Sequence, residues 1–361
     1  MNKRTFVNAA FILTVSSLAP MTVVAQDNIK LKVASNFPAT SLFSRVQQFM
    51  LDEITKRSNG RVSFEVFYGG LLLKAADVYP GTGRGAADIA LSVPAAYNPR
   101  EYPLTGVTLP FVTENVQAAS LAFRDWYNST EAVQKEYQRN NMRFLLALPS
   151  AENVLWSQKK VATAADLKGM RIRMLLGPSD VLTALGATSV TVPYTDAIDL
   201  LSRGGVDAIS ATPFEQGVKD GLPEMVNYLS QAGRIGVYGA VISAINLDKW
   251  KALPKDVQEV FLKAADDAVN FYVAAQNKEA DEAVEILLKA KRVQVVPMDP
   301  AEEKSWREQT REIILKKYND QVARTGANGT QLVESFTSLV RKHEQLHPYQ
   351  TGIDRYFARK K

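Results

Sequence analysis

The sequence predicts an α/β protein built as two lobes joined by one long helix. Three observations carry this reading. Short apolar runs of period two alternate, from Ile29 to about Asn246, with segments whose apolar residues recur at three and four. Beyond Pro254, a helical pattern continues to about Ala290 with no further proline or glycine. A helix of ~37 residues is about 55 Å long, which exceeds one domain's diameter, so it spans two domains or protrudes. The length of 361 residues also points to two domains.

The elements follow in order. Ile29, Leu31 and Val33 alternate with lysines as a strand does. Leu42 to Ser58 is predicted helical, with Ser41 as cap and Gly60 past its end. "RVSFEVF" returns as a strand, closing a strand–helix–strand unit of a parallel sheet. Asp88–Val93 and Met142–Leu148 are predicted strands, with a helix from Glu114 to Trp126 between them. Further strands are expected at Met170–Leu175, Ser189–Val192, Val206–Ala211 and Gly239–Asn246. Helices are expected at Pro178–Leu185 and Tyr194–Arg203. No internal repeat or low-complexity linker interrupts the pattern.

Composition removes several function classes. The chain has no cysteine, which excludes disulfides, thiolate nucleophiles, iron–sulfur clusters and Cys-ligated zinc. The formal charge of +5 includes Lys3 and Arg4, and acids and bases are otherwise interspersed. Nucleic-acid binding, which needs clustered basic residues, is not expected. Residues 1–25 have the pattern of a secretory signal: Lys3 and Arg4, an apolar stretch from Ala9 to Leu18, and small residues before a cleavage site after Ala25. No run reaches the ~20 apolar residues of a membrane span. The expected product is exported and not membrane-embedded.

The segment "DLKGMRIRM" (166–174) raises the main chemical question. Arg171 and Arg173 lie two residues apart in a strand pattern and so share a face. Either that face is solvated, or it meets something negative. A guanidinium offers a planar fork matched to a carboxylate.

Together with "RSNGRVSFEVF", "GAADIALS", "TLPFV", "LLSRGGVDAIS" and "LDKWKALPKDVQEVF", this segment resembles the solute-binding proteins of tripartite ATP-independent periplasmic (TRAP) transporters, the DctP-like family. The resemblance covers nearly all of the chain after residue 25. It implies a two-lobed, periplasmic-binding-protein-like fold with a long helix spanning both lobes. The implied function is capture of a small carboxylate in the interlobe cleft and delivery to the small and large membrane subunits of a TRAP permease. Such a protein resides in the periplasm, needs no cofactor and performs no chemistry. By position, Arg173 is implied to hold the carboxylate, while Arg171 is read as solvated.

The resulting organisation is a signal at 1–25, lobe I at 26–150 with 239–272, lobe II at 151–238 with 273–330, and a C-terminal helix and tail at 331–361. Ligands of open α/β sheets lie beyond the carboxyl ends of strands. That rule makes Asn36, Phe37, Ser92, Thr212 and Phe214 further cleft candidates. Asn153, Trp156 and Tyr238 are candidates in the crossing segments. Each of these eight also has an ordinary reading as core or hinge packing. Relatives often carry arginine where Asn153 stands and an acid where Val93 stands, which implies a smaller or less polar ligand than a sialic acid. In "DVYPGTGRG", Pro80 and Gly81 are expected to break a helix.

Rival motifs are weaker. "HEQLH" (343–347) matches the H-E-x-x-H pattern of a secreted zinc metallopeptidase, with Glu344 as base and His343 and His347 as ligands. It has no third histidine, and Pro348 ends its helix. "GTGRGA" (81–86) approaches a dinucleotide fingerprint but precedes a strand pattern instead of opening a helix. No G-x-S-x-G is present.

Overall fold

The computed structural model describes residues 28–360 except 151, 176 and 193. The signal reading at 1–25 lies outside the described residues.

In chain order the strands are β1 (Ile29–Ser35), β2 (Val62–Phe67), β3 (Ile89–Ser92), β4 (Met142–Ser150), β5 (Leu155–Ser157), β6 (Arg171–Arg173), β7 (Thr188–Val190), β8 (Ala208–Ile209), β9 (Tyr228–Ser230), β10 (Tyr238–Asn246) and β11 (Gln294–Val296). They form two sheets. Lobe I holds the order β2-β1-β3-β10-β4, and lobe II the order β11-β9-β5-β8-β6-β7. In lobe I, β2, β1 and β3 run parallel, while β10 is antiparallel to both β3 and β4. The chain leaves lobe I after β4 and re-enters it at β10. Tyr238 pairs with Ser150, so the two crossings start side by side.

The long helix spans Lys255–Lys289, about 52 Å at 1.5 Å per residue. Its first half buries Val257, Phe261, Ala264, Ala268 and Tyr272 in the lobe I core. Its second half buries Ala283, Val284 and Leu287 in the lobe II core. One rigid element therefore belongs to both lobes, and alanine at 264, 265 and 268 lets it lie close to lobe I.

Two features differ from the sequence expectation. Val78–Gly83 is a helix despite Pro80 and Gly81. Pro80 falls in its first turn, where no backbone N–H is needed. Gly81 packs closely on Leu73: a Cβ there would lie 2.8 Å from Leu73 Cδ1, and the leucine side chain would have to shift.

The chain also continues as three C-terminal helices, Pro300–Ala323, Gly329–Leu346 and Gly352–Arg359. The first serves both lobes: Trp306 and Ile314 pack in lobe II, Tyr318 and Val322 in lobe I. The second packs Leu332, Phe336 and Val340 on lobe I. The third returns Ile353 and Tyr356 to the lobe II core.

Candidate ligand cleft

The two arginines of β6 have different fates. Arg171, at the strand's start, is exposed and ion-pairs with Asp207, with Nη2 to Oδ1 at 3.2 Å; Nη2 also donates to the Gly204 carbonyl at 2.8 Å. Arg173, at the carboxyl end, is only 3% exposed. Its Nη1 donates to the carbonyls of Ser210 at 3.3 Å and Ala211 at 3.2 Å, and its Nε to the carbonyl of Val192 at 3.2 Å. Its guanidinium carbon lies 5.7 Å from the Tyr194 ring centre, within cation–π range. Among the described residues no carboxylate pairs with it. Burial lowers its pKa from the ordinary arginine value, and Tyr238, Tyr194 and Tyr97 act in the opposite sense. Arg173 is thus a buried cation held by neutral carbonyls and surrounded by tyrosines. Buried charges are ordinarily paired.

Asn153 and Thr212 lie beside this arrangement. Asn153 Oδ1 accepts from Ser210 Oγ and from the Ala211 amide, each at 2.7 Å. Asn153 also bridges to Pro213. Its Nδ2 is buried without a partner, as is Thr212 Oγ1. Lobe II therefore leaves two unpartnered polar groups at the Ser210–Pro213 turn whose carbonyls hold Arg173.

Lobe I brings Asn36 and Ser92 together. Ser35 pairs with Leu91, so the next residues are Asn36, just past the end of β1, and Ser92, the last of β3. Asn36 Oδ1 and Ser92 Oγ are both buried and unpartnered. Phe37 packs its ring 5.3 Å from Phe43. Tyr238 is buried at the crossing, and burial raises its pKa well above the usual tyrosine range.

Trp156 and Phe214 are fully buried in the lobe II core. Trp156 lies over Gly217, where a Cβ would fall 2.5 Å from Nε1. Phe214 lies against Gly352, where a Cβ would fall 2.1 Å from the ring. Tyr194 and Tyr97, which neighbour Arg173, were missed by the sequence reading. They follow β7 and β3, so the strand-end rule applied there would have found them.

The H-E-x-x-H segment has a structural role. His343 is buried, with Nε2 2.8 Å from Asp125 Oδ2. Glu344 accepts from the Thr113 hydroxyl. Among the described residues no group of three or more His, Cys, Asp or Glu side chains is placed to hold a metal ion. Also among the described residues, no helix is long and apolar enough to cross a membrane.

Comparison with known proteins is consistent with this geometry. A curated relative from Albidiferax ferrireducens, named a solute-binding protein, is 25% identical over 317 residues, covering 84% of this chain and 90% of the relative. A TRAP periplasmic solute-binding protein from Desulfovibrio salexigens, crystallised in an open complex, superposes with a TM-score of 0.79 at 24% identity, covering 88% of this chain and 97% of that one. A TRAP solute-binding protein from Rhodoferax ferrireducens, in complex with copurified benzoate, has a TM-score of 0.75 at 22% identity, covering 88% of this chain and 99% of that one. The family described as bacterial extracellular solute-binding protein, family 7 (DctP) matches residues 34–321. With that match over most of its length and a two-lobed α/β fold, the chain belongs to this family of solute-binding transport proteins, which are not enzymes.

Proposed function

We propose that this protein captures a small organic acid between its lobes, with Arg173 holding the carboxylate, and delivers it to the small and large membrane subunits of a TRAP permease. The observation that carries this is Arg173 itself, 3% exposed and without a carboxylate partner among the described residues. A ligand carboxylate supplies the missing charge, in a poorly hydrated site where a charge-assisted fork is strong.

Asn153 Nδ2 and Thr212 Oγ1 are the further donors on the lobe II side. Asn36 and Ser92 meet the ligand's other end, flanked by Phe37 and Tyr238. Trp156 and Phe214 form the packed floor of lobe II. The tyrosines about Arg173 favour an acid with an aromatic or otherwise apolar body, and the relative that carries benzoate supports that class. Ligand binding uses no cofactor. In this reading the signal is cleaved after Ala25 and the product works in the periplasm.

The test is a thermal-melt screen of residues 26–361 against benzoate, 3-hydroxybenzoate, mandelate, short 2-oxo acids, dicarboxylates and neutral sugars. A ligand at 100 times its Kd adds ~2.7 kcal/mol to stability. Stabilisation by one class of acid, abolished in Arg173→Ala, is the expected result. Stabilisation by sugars alone, with no acid responding, would sink the proposal.

A further inference from the structure

We infer that Asn153 is the positioning residue for the Arg173 guanidinium, and that it acts by holding Ala211 in a left-handed turn. This gives Asn153 a role within the organic-acid reading that does not require it to touch the ligand.

The geometry runs in three steps. Ala211 has φ +55°, a conformation that side chains with a Cβ rarely adopt. The left-handed form is disfavoured for such a residue by roughly 5- to 30-fold in population. Something must therefore select it. The Asn153 side chain does so, because its Oδ1 accepts the Ala211 amide at 2.7 Å and the Ser210 hydroxyl at 2.7 Å. The bridge between Asn153 and Pro213 fixes the backbone on the turn's far side. With the turn so held, the carbonyls of Ser210 and Ala211 both point at Arg173 Nη1, at 3.3 and 3.2 Å.

The strand pairing beneath the turn is independent of Asn153. The Ser210 amide donates to the Arg173 carbonyl at 2.8 Å, as a parallel neighbour should. Loss of the Asn153 oxygen is expected to release the turn and swing the two carbonyls away while leaving β6 and β8 paired. The guanidinium would then lose its fixed aim, and its one remaining bond, from Nε to the Val192 carbonyl, would loosen with it.

The position of Asn153 adds a reason for placing this device here. It stands in the first crossing between the lobes, three residues after Ser150, the residue that pairs with Tyr238 of the other crossing. The segment that carries the chain from one lobe to the other thus also sets the direction of the ligand-binding arginine.

The test compares Asn153→Ala, Ala211→Gly and the double variant, all without ligand. The readout is hydrogen exchange of the Arg173 Nε–H, assigned in ¹H–¹⁵N spectra by its loss in Arg173→Lys. The Ser210 backbone amide is the internal control. Asn153→Ala should speed Nε–H exchange on the order of tenfold while the Ser210 amide stays protected. Ala211→Gly alone should change little. The double variant should recover much of the lost protection, because glycine adopts the left-handed turn without help.

Unchanged Nε–H exchange in a folded Asn153→Ala, equal loss at the Ser210 amide, or no recovery in the double variant would each overturn the inference. If Asn153→Ala does not fold, the double variant decides. A folded double variant with a protected Nε–H supports the inference, and one that also fails to fold overturns it, since glycine removes the need for the amide. Because no ligand is used, the result stands apart from the outcome of the acid screen.

Discussion

At the scale of single residues, position along one short strand separates two identical side chains. Arg171 opens β6 and reaches a local carboxylate, whereas Arg173 ends it and is closed in. Arg173→Ala is expected to weaken binding of whichever acid stabilises the native protein by ~2–5 kcal/mol, roughly 30- to 5,000-fold. Titration calorimetry measures it, and the far-ultraviolet spectrum should be unchanged.

Two buried acids, Glu152 in the first crossing and Glu215 in the lobe II helix Phe214–Lys219, give a second prediction. Burial pushes the Glu152 carboxyl up to about 8 and that of Glu215 up to about 7. In the unfolded chain both revert to about 4.3. Between these values the folded chain binds more protons than the unfolded one, so stability falls as pH rises from about 4.5 to about 8. Glu152→Gln removes one of these protonation costs. It should match the native protein at pH 4 and exceed it at pH 8 by on the order of 1–3 kcal/mol. Urea unfolding at the two pH values reads this, and an equal change at both would contradict it.

At the scale of elements, close approach governs which glycines matter. Gly352 opens the last helix directly against the Phe214 ring. Gly352→Ala should therefore cost ~1–3 kcal/mol through overpacking, read as a lower urea midpoint with an unchanged slope. Gly60 meets nothing within 4 Å and constrains no packing, although its φ of +78° still favours glycine.

The long helix was legible in the sequence because its apolar stripe is continuous and nothing breaks it. Val78–Gly83 was not, because Pro80 is destructive inside a helix and harmless in a first turn, and the sequence does not say where the turn begins. Helix Pro300–Ala323 escaped notice for a different reason. Its buried residues Trp306, Thr310, Ile314, Tyr318 and Val322 recur at every fourth position, a row one residue wide that includes a polar threonine and is flanked by charged residues, so the apolar signal by which a helix is recognised is thin.

At the scale of the whole molecule, the long helix also carries an ionic link between the lobes. Glu279 receives Arg45 from the lobe I helix Leu42–Arg57, and Lys219 from the lobe II helix Phe214–Lys219 with Nζ at 2.8 Å. Glu279→Gln leaves both cations without their partner. Where these contacts favour the closed state, ligand affinity should fall several-fold, for about 1 kcal/mol, and the difference should shrink at high salt. Calorimetry at two ionic strengths checks this. A ligand closes the lobes only through its higher affinity for the closed state, so an acid that binds should also reduce the radius of gyration in solution scattering.

The α/β alternation, the two-lobed architecture, the long helix and the special place of the "DLKGMRIRM" segment are legible in the sequence. These depend on periodicity and on local spacing, which are written along the chain. Tertiary structure alone decided that Tyr97 and Tyr194 stand beside Arg173 and that Asn153 accepts the Ala211 amide. It also turned His343 into a buried partner of Asp125. These outcomes depend on contacts between segments far apart in sequence. Burial and partnership arise only when those segments meet, and no local pattern encodes that.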